Sequence, residues 1–168
     1  IRLGEAGHPI FVGLRGMDIP ELRENVDQYR KSWEKAGHPG RGDVSLRIPV
    51  YAGETQEQAI DEPFESISGY FGRMGSLYRE RAGKSGIEAT ELADGRAERL
   101  AALSYDDMLK TKIAFGTADS LVDRFTQLRE ELGLDGVVAE LNPGGLIPEE
   151  RVLRSLKIVT EKVMPAFK

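Results

Sequence analysis

The residues best suited to chemistry stand where predicted strands end. Arg15, Tyr51 and Asn142 each follow or close an apolar or alternating segment. A guanidinium, a phenol and an amide all form hydrogen bonds, and the guanidinium adds positive charge for an acidic ligand group. Strand alternation directs these side chains inward, so we expect them to converge at the carboxyl ends of parallel strands and bind a ligand. In the alternative interpretation Arg15 caps a loop and Tyr51 fills the core.

A glycine pair extends this candidate site. Gly144 and Gly145 come shortly after Asn142 and would let the backbone approach a ligand. The same pair is equally typical of a plain turn between a strand and a helix, and the sequence leaves both interpretations open. The predicted ligand-binding set is therefore Arg15, Tyr51, Asn142, Gly144 and Gly145.

Two more charged residues occupy inward-facing strand positions. Arg47 lies in the alternating segment 44–53, and Glu140 lies in the segment 136–141. An unpaired buried charge is costly, so we predict that the two side chains share one face of neighbouring strands and form an ion pair.

No complete catalytic motif is present. The chain has no cysteine and two histidines, which excludes thiol catalysis, thiolate metal sites and a three-histidine zinc site. Glycine-rich nucleotide loops and the serine-hydrolase and zinc-protease motifs are also absent. His8 and His38 precede predicted strands, at the end of a parallel barrel away from chemistry, so we interpret both as structural. We predict no metal site and assign no catalytic residue.

The elements that must position these residues alternate along the chain. Three strands are predicted from apolar runs or period-two alternation, at residues 10–14, 44–53 and 136–141. Helices are predicted to start at N-cap residues or at a proline, namely Asp18, Thr55, Ser104, Thr117 and Pro148. Such alternation implies parallel strands joined by right-handed crossovers.

A long helical insertion, about residues 64–112, separates the second and third predicted strands. It leaves the carboxyl end of a strand, where an insertion often forms a lid or a substrate wall. A helical pair that packs on its own barrel is the alternative. Three parallel strands make a poor free-standing sheet, so we expect residues 1–168 to be one partial domain of a larger α/β architecture, with further strands before Ile1.

Composition excludes several classes of protein. The formal net charge of −5 argues against binding to phosphate backbones of nucleic acid. The sequence has no apolar run long enough to cross a membrane and no N-terminal signal pattern, so we expect a cytoplasmic protein without membrane contact.

Four segments, in order, resemble luciferase-like flavin-dependent monooxygenases. They are a helix-to-turn segment, a strand followed by a Glu-Thr helix start, a Gly-Thr helix start and a C-terminal ending, at Tyr29–Gly40, Val50–Ala59, Phe115–Asp119 and Val163–Phe167. Ala118 stands where the family usually has proline.

The resemblance implies the C-terminal portion of a (β/α)8 TIM barrel, with about three parallel strands, helices and the long helical insertion. It also implies a reduced FMN or a deazaflavin at the carboxyl mouth of the complete barrel, and oxidation of a small organic substrate. With that cofactor, Arg15, Tyr51, Asn142, Gly144 and Gly145 become the predicted cofactor-binding residues. We expect this segment alone to be inactive, and to form a homo-oligomer or to associate with the missing barrel half. The alternative is a non-catalytic half-barrel interaction module that another chain completes.

Overall fold

The computed structural model describes residues 1–82, 95 and 97–168, in which helices and parallel strands alternate. The strands are β1 (Ile10–Gly13), β2 (Val44–Ala52), β3 (Ala114–Gly116) and β4 (Gly136–Glu140). The helices are α1 (Arg2–Glu5), α2 (Ile19–Lys35), α3 (Gln56–Asp61), α4 (Phe64–Ala82), α5 (Tyr105–Thr111), α6 (Ala118–Leu132) and α7 (Glu149–Ile158). A π-helical turn (Val159–Val163) and a 3-10 turn (Met164–Phe167) follow α7.

Strand β2 is the centre of the sheet. It pairs in parallel with β1 at residues 44–47, with β4 at 45–49 and with β3 at 50–52. Strands β1 and β4 each pair only with β2 within the described residues, so the sheet is open. This open parallel sheet with its helices confirms the predicted fold class, a portion of an α/β barrel.

The strand prediction was incomplete, because a fourth strand, β3, lies between the helical insertion and α6. Its three residues are all buried, and it pairs only with the last residues of β2. A segment this short shows neither alternation nor a distinct apolar run, so the sequence pattern did not reveal it.

The outer face of the sheet packs on α2 and α6. Alternate residues of β2 enter this core together with the apolar stripes of both helices, including Val44, Leu46, Ile48, Val50, Leu22, Val26, Leu121, Phe125 and Leu128. Asp18 caps α2 by accepting from the amide of Glu21, and Thr117 caps α6 by accepting from the amide of Ser120. These local signals start the helices where the sequence predicted them.

The helical insertion covers the carboxyl end of β2 on the opposite face. Helices α4 and α5 belong to it, and a full capping box between Ser104 and Asp107 starts α5. The insertion buries a second core around Tyr51, which includes Ile67, Phe71, Leu100, Met108, Ile113, Phe115 and Ile147. Residues 83–94 and 96 of the predicted insertion lie outside the described residues.

The remainder of the inner sheet face is open. Phe11 of β1 is 73% exposed and Val138 of β4 is 39% exposed, although both lie in strands. In the part of the chain that the structure describes, no helix is long and apolar enough to cross a membrane.

Candidate functional site

Strand register brings three charged side chains together on the inner face. Gly13 stands opposite Arg47, and Pro49 stands opposite Glu140, so Arg47 and Glu140 lie two residues apart along the sheet on the same face. Arg15 comes two residues after the end of β1 and reaches the same place. The predicted inward direction of these residues is confirmed.

Arg15 and Arg47 share one carboxylate oxygen. Nη2 of Arg15 donates to Oε1 of Glu140, and Nη2 of Arg47 lies 2.5 Å from the same oxygen. The predicted pairing of Arg47 with Glu140 is therefore confirmed, while the contribution of Arg15 was not expected. The side chains are 25%, 53% and 13% exposed for Arg15, Arg47 and Glu140, so the carboxylate is the most deeply placed member.

Tyr70 of α4 supports Arg15. The guanidinium carbon of Arg15 lies 5.3 Å from the centre of the Tyr70 ring, which is cation–π geometry. Burial, and then the charge of Glu140, raise the pKa of the Tyr70 hydroxyl. That hydroxyl and Oε2 of Glu140 are both buried without a hydrogen-bond partner among the described residues. The Tyr70 hydroxyl is therefore an unused donor of the cluster, and Oε2 of Glu140 is an unused acceptor.

The helical insertion also holds the loop that carries Arg15. Nζ of Lys112 donates to the carbonyl of Met17 at 2.6 Å, and Nη2 of Arg99 donates to the carbonyl of Gly16 at 3.3 Å. Burial lowers the pKa of Lys112. Two cations from the insertion thus fix the backbone immediately after Arg15.

Tyr51 lies beneath the surface of the mouth. Its side chain is fully buried, and its ring meets Phe115 edge-on with centroids 6.1 Å apart. The hydroxyl donates to Glu62, which also accepts from Arg154 of α7. Burial and the bond to Glu62 raise the pKa of Tyr51 to about 12. Tyr51 therefore joins β2, α3 and α7, and its hydroxyl is engaged within the protein.

Asn142 closes a tight turn on itself. Its Oδ1 accepts from the amide of Ile147 at 3.1 Å, and its Nδ2 donates to the carbonyl of Ile147 at 3.0 Å. Gly144, with φ +100°, lies so close to α4 that a Cβ there would be 2.2 Å from the carbonyl oxygen of Ser66. Gly145, with φ +78°, has no neighbour within 4 Å of a Cβ placed on it, so its backbone is the open part of the turn.

The five predicted cofactor-binding residues occupy three neighbouring places. Arg15 belongs to the Glu140 cluster, Tyr51 to the buried Glu62 network, and Asn142 with the glycines to the turn after β4. Sequence reasoning placed Tyr70 in the insertion on the ligand-binding side, but it missed Lys112 and Glu62. Their roles depend on how the insertion and α3 pack on the sheet, and no local spacing signals that packing.

Both histidines lie at the amino ends of strands. Nε2 of His38 lies 2.9 Å from the carbonyl of Glu5, and its ring is tilted against that of Trp33 with centroids 5.1 Å apart. The backbone carbonyl of His8 accepts from Tyr29 at 2.9 Å. These contacts serve packing at the end of the sheet opposite the Glu140 cluster. Among the described residues, no group of three or more potential ligand side chains is placed to hold a metal ion.

Parallel strands, covering helices and a polar cluster near the carboxyl ends define this chain as a portion of a parallel α/β barrel. The sequence model of the luciferase-like monooxygenases matches residues 2–136. The chain therefore belongs to the luciferase-like monooxygenase family, as the sequence resemblance predicted. A search among curated proteins finds no match.

Solved structures share the fold at low sequence identity. The oxygenating constituent of 3,6-diketocamphane monooxygenase from Pseudomonas putida, a type II Baeyer–Villiger monooxygenase in complex with FMN, is 19% identical with a TM-score of 0.72. That match covers 98% of this chain and 44% of the other. The coenzyme F420-dependent tetrahydromethanopterin reductase from Methanopyrus kandleri is 19% identical, TM-score 0.64, with coverage of 99% and 47%.

A monooxygenase from Streptomyces bottropensis is 18% identical with a TM-score of 0.65, covering 99% of this chain and 44% of the other. The chain thus spans less than half the length of these structures.

Proposed function

We propose that this chain corresponds to the C-terminal part of a flavin- or deazaflavin-dependent oxidoreductase that acts on a small organic substrate. The observation that carries the proposal is the Arg15–Glu140–Arg47 cluster on the inner face of a parallel sheet, in a chain of the luciferase-like monooxygenase family. The structural relatives include one solved with FMN and one named for its dependence on coenzyme F420. FMN or a deazaflavin is therefore the proposed cofactor.

The residues present fit such a cofactor. Arg15 keeps a quarter of its side chain exposed and provides positive charge next to a cavity, which suits a reduced, anionic ring. Gly145 offers open backbone in the turn after β4. When bound, a reduced flavin or deazaflavin would supply the redox chemistry that this chain's side chains lack.

Each proposed site residue has a distinct task. Arg15, steadied by Tyr70 and Glu140, holds positive charge toward the ligand. Asn142 fixes the turn that presents Gly144 and Gly145. Tyr51 has a structural task. Its hydrogen bond to Glu62 holds β2 against the covering helices.

The proposal is tested by cofactor binding. FMN and coenzyme F420 are titrated, with fluorescence as the readout, into this chain produced alone and together with any coding sequence that precedes Ile1. We expect saturable binding of one cofactor in the longer product, weakened about tenfold by Arg15→Gln. Arg41→Gln is the matched control, because Arg41 pairs with Asp135 at the other end of the strands. Binding that is absent, or equal in both variants, contradicts the proposal.

A second candidate is a non-catalytic half-barrel module that another polypeptide completes. The unpaired edges of β1 and β4 and the exposed Phe11 favour it. A chain that purifies with a protein partner and binds neither FMN nor coenzyme F420 would support this candidate. A cytoplasmic location is part of either proposal and agrees with a cysteine-free sequence, which needs no oxidising compartment.

A further inference from the structure

A small cavity lies beside the Glu140 cluster. Its volume is about 290 Å³, and its walls include Phe11, Arg15, Met17, Arg47 and Tyr78. It is placed between the inner face of β1 and the helical insertion, so it adjoins the proposed cofactor site. A pocket of this size accommodates a small organic molecule.

The polar side of the cavity carries excess positive charge. Arg15 and Arg47 both reach the cavity, whereas Glu140 is the carboxylate that pairs with them among the described residues. Each guanidinium has five N–H donors, and both contact the same oxygen of Glu140. Arg47 is also 53% exposed, so its guanidinium can accept a second anion without leaving the first.

Other side chains that line the cavity are apolar or aromatic. Phe11 is 73% exposed, which is unusual for a phenylalanine within a strand, and Met17 and Tyr78 line the same space. A cavity lined by an exposed aromatic ring and two guanidinium groups matches a ligand with an anionic end and an apolar body.

We propose that Arg47, beside the Arg15 assigned to the cofactor, binds the anionic group of a small organic acid whose apolar body lies against Phe11. Guanidinium and carboxylate form bidentate, charge-assisted hydrogen bonds, and these give the pair its selectivity for an acid over a neutral analogue. This inference rests on the proposed function in taking that acid as the substrate of the flavin-dependent reaction. It identifies Arg47 as a specificity-determining residue.

Binding of phenylacetate and of its neutral analogue phenylacetamide, measured by ligand-observed NMR and calorimetry, tests the inference. We expect phenylacetate to bind saturably and phenylacetamide at least about tenfold more weakly. Arg47→Gln should weaken phenylacetate about tenfold while leaving phenylacetamide unchanged, and Arg41→Gln should change neither. Arg47→Lys keeps the positive charge but loses the planar guanidinium, so its affinity for phenylacetate should lie between those of the wild type and Arg47→Gln. Thermal melts establish that each variant is folded.

Several results would overturn the inference. Equal affinity for phenylacetate and phenylacetamide would show that the cavity does not select for negative charge. Equal losses of phenylacetate affinity in Arg47→Gln and Arg41→Gln would show a nonspecific effect. Competition of FMN, but not of riboflavin, with phenylacetate would assign the arginines to the cofactor's phosphate. Phenylacetate binding without binding of FMN or coenzyme F420 would leave the acid site intact and reject the proposed function instead.

Discussion

At the scale of single residues, exposure decides what each charge contributes. Glu140 is the deep partner of two arginines, whereas Arg47 is more than half exposed. Water screens a half-exposed guanidinium, so its ion pair contributes little to the free energy of unfolding. A carboxylate that serves two cations leaves both without a partner when it is neutralised. The two ends of this ion pair are therefore unequal in their effect on stability.

We expect Glu140→Gln to lower the free energy of unfolding by about 1–3 kcal/mol and Arg47→Gln by no more than about 1 kcal/mol. Urea unfolding monitored by circular dichroism measures both. The double variant should cost little more than Glu140→Gln alone, because the interaction is already lost. A larger cost for Arg47→Gln than for Glu140→Gln would contradict this account.

A second residue-scale prediction concerns acid stability. Burial alone would raise the pKa of Glu62, but hydrogen bonds from Tyr51 and Arg154 outweigh it, and the pKa is lowered. Its stabilisation is thus complete above the ordinary glutamate pKa of about 4.3 and is lost as the pH falls through the lower folded-state value. We expect Glu62→Gln to flatten the loss of stability below that pH in melts across an acid series. Glu54 forms an exposed ion pair with Lys162, so Glu54→Gln is the control and should leave the dependence of stability on pH unchanged.

At the scale of elements, the turn between β4 and α7 needs two glycines. Both adopt a left-handed backbone conformation, and one of them also packs closely against α4. Gly144 and Gly145 both have positive φ, which costs a residue with a Cβ about 1–2 kcal/mol. Only Gly144 faces backbone of α4 at a distance that excludes a Cβ. The turn can therefore pack on the insertion only with glycine at that position.

The two glycines form a matched pair for a test. Gly145→Ala should cost about 1–2 kcal/mol, the conformational penalty alone. Gly144→Ala should cost more, because α4 must also move away from the turn, and should disturb the contact of Arg73 with the carbonyl of Gly144. Denaturant unfolding of the two variants gives the comparison. Equal losses would mean that the approach to Ser66 is not tight in solution.

At the scale of the whole molecule, the open sheet is the dominant feature. Strands β1 and β4 keep free edges within the described residues, and the inner face exposes Phe11 and Val138. Free edges and apolar patches recruit other strands and surfaces. We therefore expect the chain to associate with further polypeptide, either a second copy or the rest of a barrel.

We expect the isolated chain to form a dimer or a larger assembly in light scattering. Phe11→Ser should shift the assembly toward monomer with little change in the free energy of unfolding, because that side chain is mostly exposed. Leu153→Ser, which changes an exposed leucine of α7, is the control and should leave the assembly unchanged. A compact wild-type monomer with a cooperative melt would refute the expectation.

The sequence by itself determined what depends on local periodicity and capping. The alternation in β2, the caps at Asp18 and Thr117 and the apolar stripes of α2 and α6 are encoded within a few residues, so these elements were predictable. The family was predicted from the resemblance of four short segments. The inward direction of Arg47 and Glu140 followed from the same period of two. Register then placed them together as predicted, because parallel strands with one buried face have little freedom to slip.

Only the tertiary structure decided which inward residues meet and which are covered. The insertion buries Tyr51, and Glu62 at the end of α3 accepts a hydrogen bond from its hydroxyl, although the strand position of Tyr51 resembles that of the half-exposed Arg47. Tyr70 and Lys112 reach the Arg15 loop from elements more than fifty residues away in the chain. Strand β3 is specified by its pairing with β2 rather than by its own three residues. Such contacts arise from packing between distant segments, and no local pattern carries them.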